Sequence, residues 1–138
     1  MIVSTKGRYA LRVIMHLAEF GNGDYIPLKE IAEKQNISLK YLESIMAVLS
    51  KAGMVDSLHG KGGGYRLNMP PDKYTVAAVL KLTEGTLAPI ACLETDENHC
   101  DRAEGCRTLP MWTELDRLIY GYLESITIDD LIKSDRSE

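Results

Sequence analysis

From Tyr9 to Phe20 the apolar residues return at helical spacing, with Val13, Ile14, Leu17 and Ala18 on one face. Gly21-Asn22-Gly23 predicts where that helix stops. A shorter helix is predicted over Leu28 to Gln35, burying Leu28, Ile31 and Ala32. Asn36-Ile37-Ser38 makes a tight connection, and Ser38 is placed to cap a third helix from Leu39 to about Lys51. Its buried positions would be Leu42, Ile45, Met46 and Leu49. Two helices across a three-residue turn, the second well capped, form a helix-turn-helix signature. Gly53 then ends the third helix. Met54–Leu58 reads as a strand, His59–Gly64 as a glycine-rich loop and Tyr65–Leu67 as a second strand, which together predict a wing.

Beyond Pro70-Pro71-Asp72 the pattern predicts a helix over Thr75–Glu84, carried by Val76, Val79 and Leu80 and stopped by Gly85. The stretch from Cys92 to Cys106 is polar and acidic and shows no period. Pro110 suits the first turn of a last, long helix. In it Trp112, Leu115, Ile119, Tyr122 and Ile126 recur at 3-4-3-4, the seam expected of a helix that pairs with another helix. The expected fold is mainly α with a small β-hairpin wing: a winged helix-turn-helix followed by a long C-terminal dimerisation helix. Three regions follow from this: a DNA-binding domain over 1–85, a cysteine-bearing loop over 86–108, and the dimerisation helix with its tail over 109–138.

Composition narrows the class. The chain has 138 residues, 45% hydrophobic and 26% charged, which suits a globular domain. Its first residues lack the basic-then-apolar order of a signal peptide, and no run approaches the roughly 20 apolar residues that cross a bilayer. A cytoplasmic protein with no membrane partner is expected. The net charge of −4 is unevenly spread: residues 1–66 carry nine Lys/Arg and six Asp/Glu, whereas 67–138 carry seven and fourteen. A basic front half and an acidic back half suit a chain whose front meets phosphates. No nucleophile is paired with a base, and His16 falls near the apolar face of the first helix, so an enzyme is not expected. The loop at 59–64 also lacks the Lys-Ser/Thr ending of a P-loop.

The candidate interface for double-stranded DNA lies in the front half. Ser38, Lys40, Tyr41, Glu43 and Ser44 occupy the N-terminal turns of the third helix, off its buried face. In a helix-turn-helix those turns enter the major groove. Lys40 can reach a phosphate or a guanine, and Glu43 can accept from a cytosine amino group. Lys6, Arg8 and Arg12 on the first helix would position phosphates, as would the wing residues His59, Gly60, Lys61, Gly62, Gly63, Gly64 and Tyr65.

All three cysteines, Cys92, Cys100 and Cys106, fall within fifteen residues. An odd count argues against a disulfide framework. The spacing offers three soft ligands for an iron–sulfur cluster or zinc, although no CxxC pair is present. The alternative from the residues alone is three unrelated thiols.

Ser4-Thr5-Lys6-Gly7-Arg8-Tyr9-Ala10, Ile37-Ser38-Leu39-Lys40-Tyr41-Leu42-Glu43 and Gly60-Lys61-Gly62-Gly63-Gly64-Tyr65 resemble the Rrf-type winged-helix regulators. The resemblance extends over nearly the whole chain, to Ser125–Leu131, and implies a homodimer built on the last helix. It also implies a palindromic operator and, most often, repression. IscR-like members hold an iron–sulfur cluster through three cysteines in this loop. The implied metal ligands are therefore Cys92, Cys100 and Cys106, with a 2Fe–2S cluster favoured over 4Fe–4S. Three positions depart from those relatives. Leu109 stands where a ligating His follows the third cysteine, and Arg8 where a partner subunit supplies an acidic ligand. His59 stands where the wing usually carries Arg. The fourth ligand is left open among His99, Glu94, Glu104 and a small exogenous molecule. Other members repress sulfur and cysteine metabolism without a cofactor, under control of a regulatory protein partner. A zinc or thiol-redox sensor is a further alternative.

Overall fold

The computed structural model describes residues 3–94 and 105–134. Helix α1 (Thr5–Phe20) begins four residues earlier than its apolar pattern, because the Ser4 hydroxyl accepts from the Gly7 amide at 3.0 Å and caps the first turn. Lys6 and Arg8 are therefore helical. Helix α2 (Leu28–Gln35) follows Pro27 and ends at Asn36, which adopts the left-handed conformation that Asn tolerates at a helix end. Helix α3 (Leu39–Lys51) is capped by Ser38, whose hydroxyl accepts from the Tyr41 amide at 3.1 Å.

Strands β1 (Val55–Leu58) and β2 (Gly64–Leu67) pair antiparallel from Val55↔Leu67 to Leu58↔Gly64, forming the hairpin. Ile26 adds a bridge on the other side of β2: its amide and the Tyr65 amide donate to each other's carbonyls at 2.8 and 2.9 Å. Gly64 belongs to the strand rather than the loop, and its φ of 151° is open only to glycine.

The core gathers on α1. Ala10, Val13 and Ile14 are fully buried with Ile31 of α2 and with Leu42, Ile45, Met46 and Leu49 of α3. A smaller cluster forms around α4 (Val76–Glu84), where Val76, Ala77, Leu80 and Leu87 meet Leu123, Ile126 and Leu131. Gly7 lets α1 approach α4 closely, since a Cβ there would stand 2.8 Å from the Glu84 carboxylate. That carboxylate accepts from the Ser4 amide (2.6 Å), the Ser4 hydroxyl (2.7 Å) and the Thr83 hydroxyl (2.7 Å). Burial disfavours its charge, yet these hydrogen bonds outweigh that and hold it below the usual carboxylate value.

Helix α5 (Leu109–Ser125) has Pro110 in its first turn, as expected. It stops at Ile126, and a sixth helix, α6 (Ile128–Lys133), follows under a capping box. In that box Thr127 accepts from the Asp130 amide, and the Asp130 carboxylate accepts from the Thr127 amide. A short bridge, Thr75↔Thr127, ties the start of α6 to the start of α4.

Tyr74 is the buried peg beneath the wing. Its hydroxyl donates to the Met54 carbonyl at 2.7 Å and accepts from the Asn68 amide at 3.1 Å. Tyr74→Phe leaves both partners in place without the hydroxyl. The expected loss is about 1–2 kcal/mol, read as a lower Tm in thermal denaturation; an unchanged Tm would show that water replaces the hydroxyl.

Candidate nucleic-acid interface and thiol segment

The first turns of α3 present Lys40, Glu43 and Ser44 to solvent. Ser44 donates back to the Tyr41 carbonyl at 2.6 Å, and Ser38 is occupied as the cap, so the hydroxyls of both are committed to the helix end. Tyr41 is half-buried and meets the Tyr9 ring edge-on, centroids 5.9 Å apart. The Arg12 guanidinium lies over the other ring of this pair, 4.8 Å from the Tyr9 centroid. Arg12 also donates from Nε to the Gln35 side-chain oxygen at 3.2 Å and from Nη2 to the Gln35 carbonyl. It is thus bound to the end of α2 rather than held out alone.

Leu39 was not among the predicted interface residues, yet it is 47% exposed at the start of α3. An apolar side chain at that position suits a thymine methyl. Spacing hides this residue, since Leu39 stands three and seven positions before Leu42 and Met46 and so reads as the edge of the buried face.

On the wing, the Gly63 amide donates to the Gly60 carbonyl at 3.0 Å and closes a tight turn. His59 and Lys61 are exposed beside it, while Gly63, Gly64 and Tyr65 are partly covered. On α1, Lys6 is half-buried and Arg8 is exposed, with Nη2 donating to the Thr5 hydroxyl at 3.2 Å.

Of the thiol segment, Cys92 and Cys106 are described and both are half-buried. Cys92 sits in a 3-10 turn, Ala91–Leu93, with Glu94 exposed at its end. Cys100, His99 and Glu104 lie outside the described residues, so the predicted ligand triad is seen only at its two ends. Among the described residues no three His, Cys, Asp or Glu side chains gather for a metal. Cys106 precedes α5, and the Thr108 hydroxyl, 3.5 Å from Sγ, followed by the Thr108 and Leu109 amides, holds its thiol below the ordinary value. This favours the thiolate, the form that binds a soft metal. The donor chemistry at this end fits an iron–sulfur or zinc centre. Leu109 is the first residue of α5 and offers no ligand. Thr108→Ala is expected to slow alkylation of Cys106 in the apo protein several-fold at neutral pH, because the thiol pKa rises back toward its ordinary value. Equal rates would show that the helix-end amides suffice.

Helix α5 carries no fully buried residue. The predicted seam divides. Trp112 and Ile119 are half-buried, and Ile126 packs into the cluster around α4. Leu115 and Tyr122 face outward together with Met111 and Leu118, exposed by 37, 65, 54 and 52% respectively. At 100° per residue, positions 111, 115, 118 and 122 form one narrow row. The seam read from the sequence straddles the edge between that row and the face turned toward α4.

A capped recognition helix across a three-residue turn, followed by a hairpin laid against a helical core, is a winged helix-turn-helix. It makes this chain a DNA-binding transcriptional regulator and not an enzyme. No described helix is long and apolar enough to cross a membrane. The family description "Rrf2: Iron-dependent Transcriptional regulator" matches residues 3–134, and the chain belongs to that family. It is 34% identical over 132 residues to the HTH-type transcriptional regulator IscR of Aliivibrio salmonicida, covering 96% of this chain and 77% of that one. Its fold is similar to that of CymR, the global cysteine regulator of B. subtilis. There the TM-score is 0.78 at 34% identity, over 98% of this chain and 99% of that one. It is also similar to IscR of T. potens, with a TM-score of 0.73 at 33% identity, over 96% and 87%.

Proposed function

We propose that this regulator acts as a homodimer on a palindromic operator, as a repressor, and that the state of the thiol segment sets its operator affinity. The observation that carries this reading is the position of Cys106. It has a thiolate-favouring environment at the head of α5, the helix whose outward row offers the dimer surface, and α5 packs on the α4 cluster beside α1. Cys92, Cys100 and Cys106 would hold an iron–sulfur cluster, of 2Fe–2S type by likeness to the IscR relatives. When bound, such a group would supply redox-active iron able to react with oxidants or nitric oxide. The protein's own part would be to hold the group at the head of α5 through Cys106 and so bias the seating of α4 and α1 beneath the recognition helix. Lys40 and Glu43 would read bases, while Lys6, Arg8, His59 and Lys61 would hold phosphates.

A second reading has support of its own. Leu109 and Arg8 remove two ligand positions used by relatives, and the fold matches CymR over 99% of that chain. In that reading the regulator works without a cluster, through a protein partner, zinc or thiol oxidation. An anaerobic absorption spectrum with iron and sulfide counted per chain separates the two. Brown protein with sulfide equal to iron is the expected result, and substitution of all three cysteines with Ala should abolish both. Colourless protein that also fails reconstitution would establish the second reading.

A further inference from the structure

His16 is 2% exposed, on the core side of α1, and its Nε2 has no hydrogen-bond partner among the described residues. Its Nδ1 lies 3.0 Å from the side-chain nitrogen of Gln35, the last residue of α2. The orientation of that amide is fixed from outside: Gln35 Oε1 accepts from Arg12 Nε–H, so its NH2 group must face His16. An amide nitrogen only donates. Nδ1 is thus the acceptor, and His16 is neutral with its proton on Nε2. One chain of donors runs from Arg12 through Gln35 to a buried imidazole.

A proton added to Nδ1 would set donor against donor. Gln35 can satisfy it only by turning its amide over, which brings NH2 against Arg12 Nε–H. One conflict is then exchanged for another, and Arg12 loses the Gln35 side-chain oxygen while keeping the Gln35 main-chain carbonyl and its place over Tyr9. We propose that His16 is a positioning residue that sets, by its protonation, whether the Arg12 guanidinium is locked onto the end of α2 or loosened toward DNA beside the recognition helix.

The direction of the equilibrium follows from the surroundings. Burial of His16 works against its charge, Glu30 of α2 and Glu19 of α1 favour it, and Lys34 opposes it; the balance lies below the ordinary value of 6.5. Arg12, on α1, is a further cation near the same site. Near neutral pH the lock is therefore closed, and it opens only on acidification. Arg12 is well placed to use its release, since it already lies over Tyr9, which touches Tyr41 of α3. The DNA half of the proposal rests on that face of α1 and α3 meeting the duplex.

The test uses the full chain at pH values where its circular dichroism is unchanged. Nitrogen-15 NMR should find His16 as the Nε2–H tautomer at neutral pH. The Gln35 side-chain amide and the Arg12 Nε–H resonance should then shift with the same midpoint as His16. Gln35→Glu is the decisive variant, because a carboxylate accepts from both neighbours at once. It should raise the His16 midpoint and leave Arg12 Nε–H indifferent to that titration. An Nδ1–H tautomer, or an Arg12 that ignores His16 in the wild-type chain, would overturn the lock. For the DNA half, binding to a random-sequence duplex is followed against salt. Below the His16 midpoint the wild-type slope should steepen by up to about one counterion, and the Gln35→Glu slope should not. A responsive Arg12 with an unchanged slope would overturn the DNA half alone. If neither chain binds the duplex at any pH, the fault lies in the interface rather than in the lock.

Discussion

Glutamate in place of both Leu118 and Tyr122 is expected to leave a folded monomer, with dimer affinity reduced by about a thousandfold or more. The row formed by Met111, Leu115, Leu118 and Tyr122 is exposed in the single chain, whereas its neighbours Leu123 and Ile126 are spent on the α4 cluster. Covering a large apolar side chain contributes about 1.5–3 kcal/mol, and two-fold symmetry counts each residue twice. The double variant removes that gain and forces four carboxylates into the same space. Neither residue supports the protomer core, so circular dichroism and Tm should change little. Sedimentation velocity reads the outcome, and if the operator is palindromic as proposed, affinity for it should fall as well, since a dimer grips two half-sites together. A dimer that survives would place the interface on another surface.

Gly64→Val should dismantle the wing while sparing the helical core. A Cβ at this residue would lie 2.1 Å from the Ile26 carbonyl oxygen, and the backbone φ of 151° is itself closed to a β-branched residue. The substitution therefore breaks the Ile26–Tyr65 bridge and frees the end of the β1–β2 ladder. A loss of about 3 kcal/mol is expected for combined strain and unpairing, equal to a Tm lower by roughly 10 °C in a domain of this size. The phosphate contacts proposed for the wing should be lost as well, flattening the salt dependence of duplex binding. If Tm is kept and only DNA binding is lost, the ladder has shifted register without opening.

The front half was legible because each element carries two agreeing signals. In α3, the period of Leu42, Ile45, Met46 and Leu49 coincides with the Ser38 cap, and in the wing, short apolar runs flank glycines that the turn demands. Where one signal stands alone, the reading fell short. The first turn of α1 has a cap but no apolar residue over Thr5–Arg8, so the apolar pattern alone starts the helix at Tyr9. Helix α6 is six residues long and is announced mainly by its capping box, with Asp130 in place of the usual Glu or Gln. On α5 the period places the helix, but the predicted seam spans both the exposed row and the side turned toward α4. Apolar residues there serve both α4 and the open side, and spacing alone cannot divide them. The contacts of Arg12, His16 and Gln35 join residues about twenty positions apart, beyond the reach of any local pattern.

The Glu84 carboxylate works as a coupling pin between two shafts. One of its oxygens takes the Ser4 amide and the other the Ser4 hydroxyl, so the head of α1 cannot turn without carrying the tail of α4. One residue later, at Gly85, the chain departs for the thiol segment. This carboxylate therefore joins the turn that carries Lys6 and Arg8 to that root, together with the packing of α1 on α4 around Gly7. Its depressed pKa sets when the pin slips: the grip is complete above the usual carboxylate value and is lost as pH falls through the lowered one.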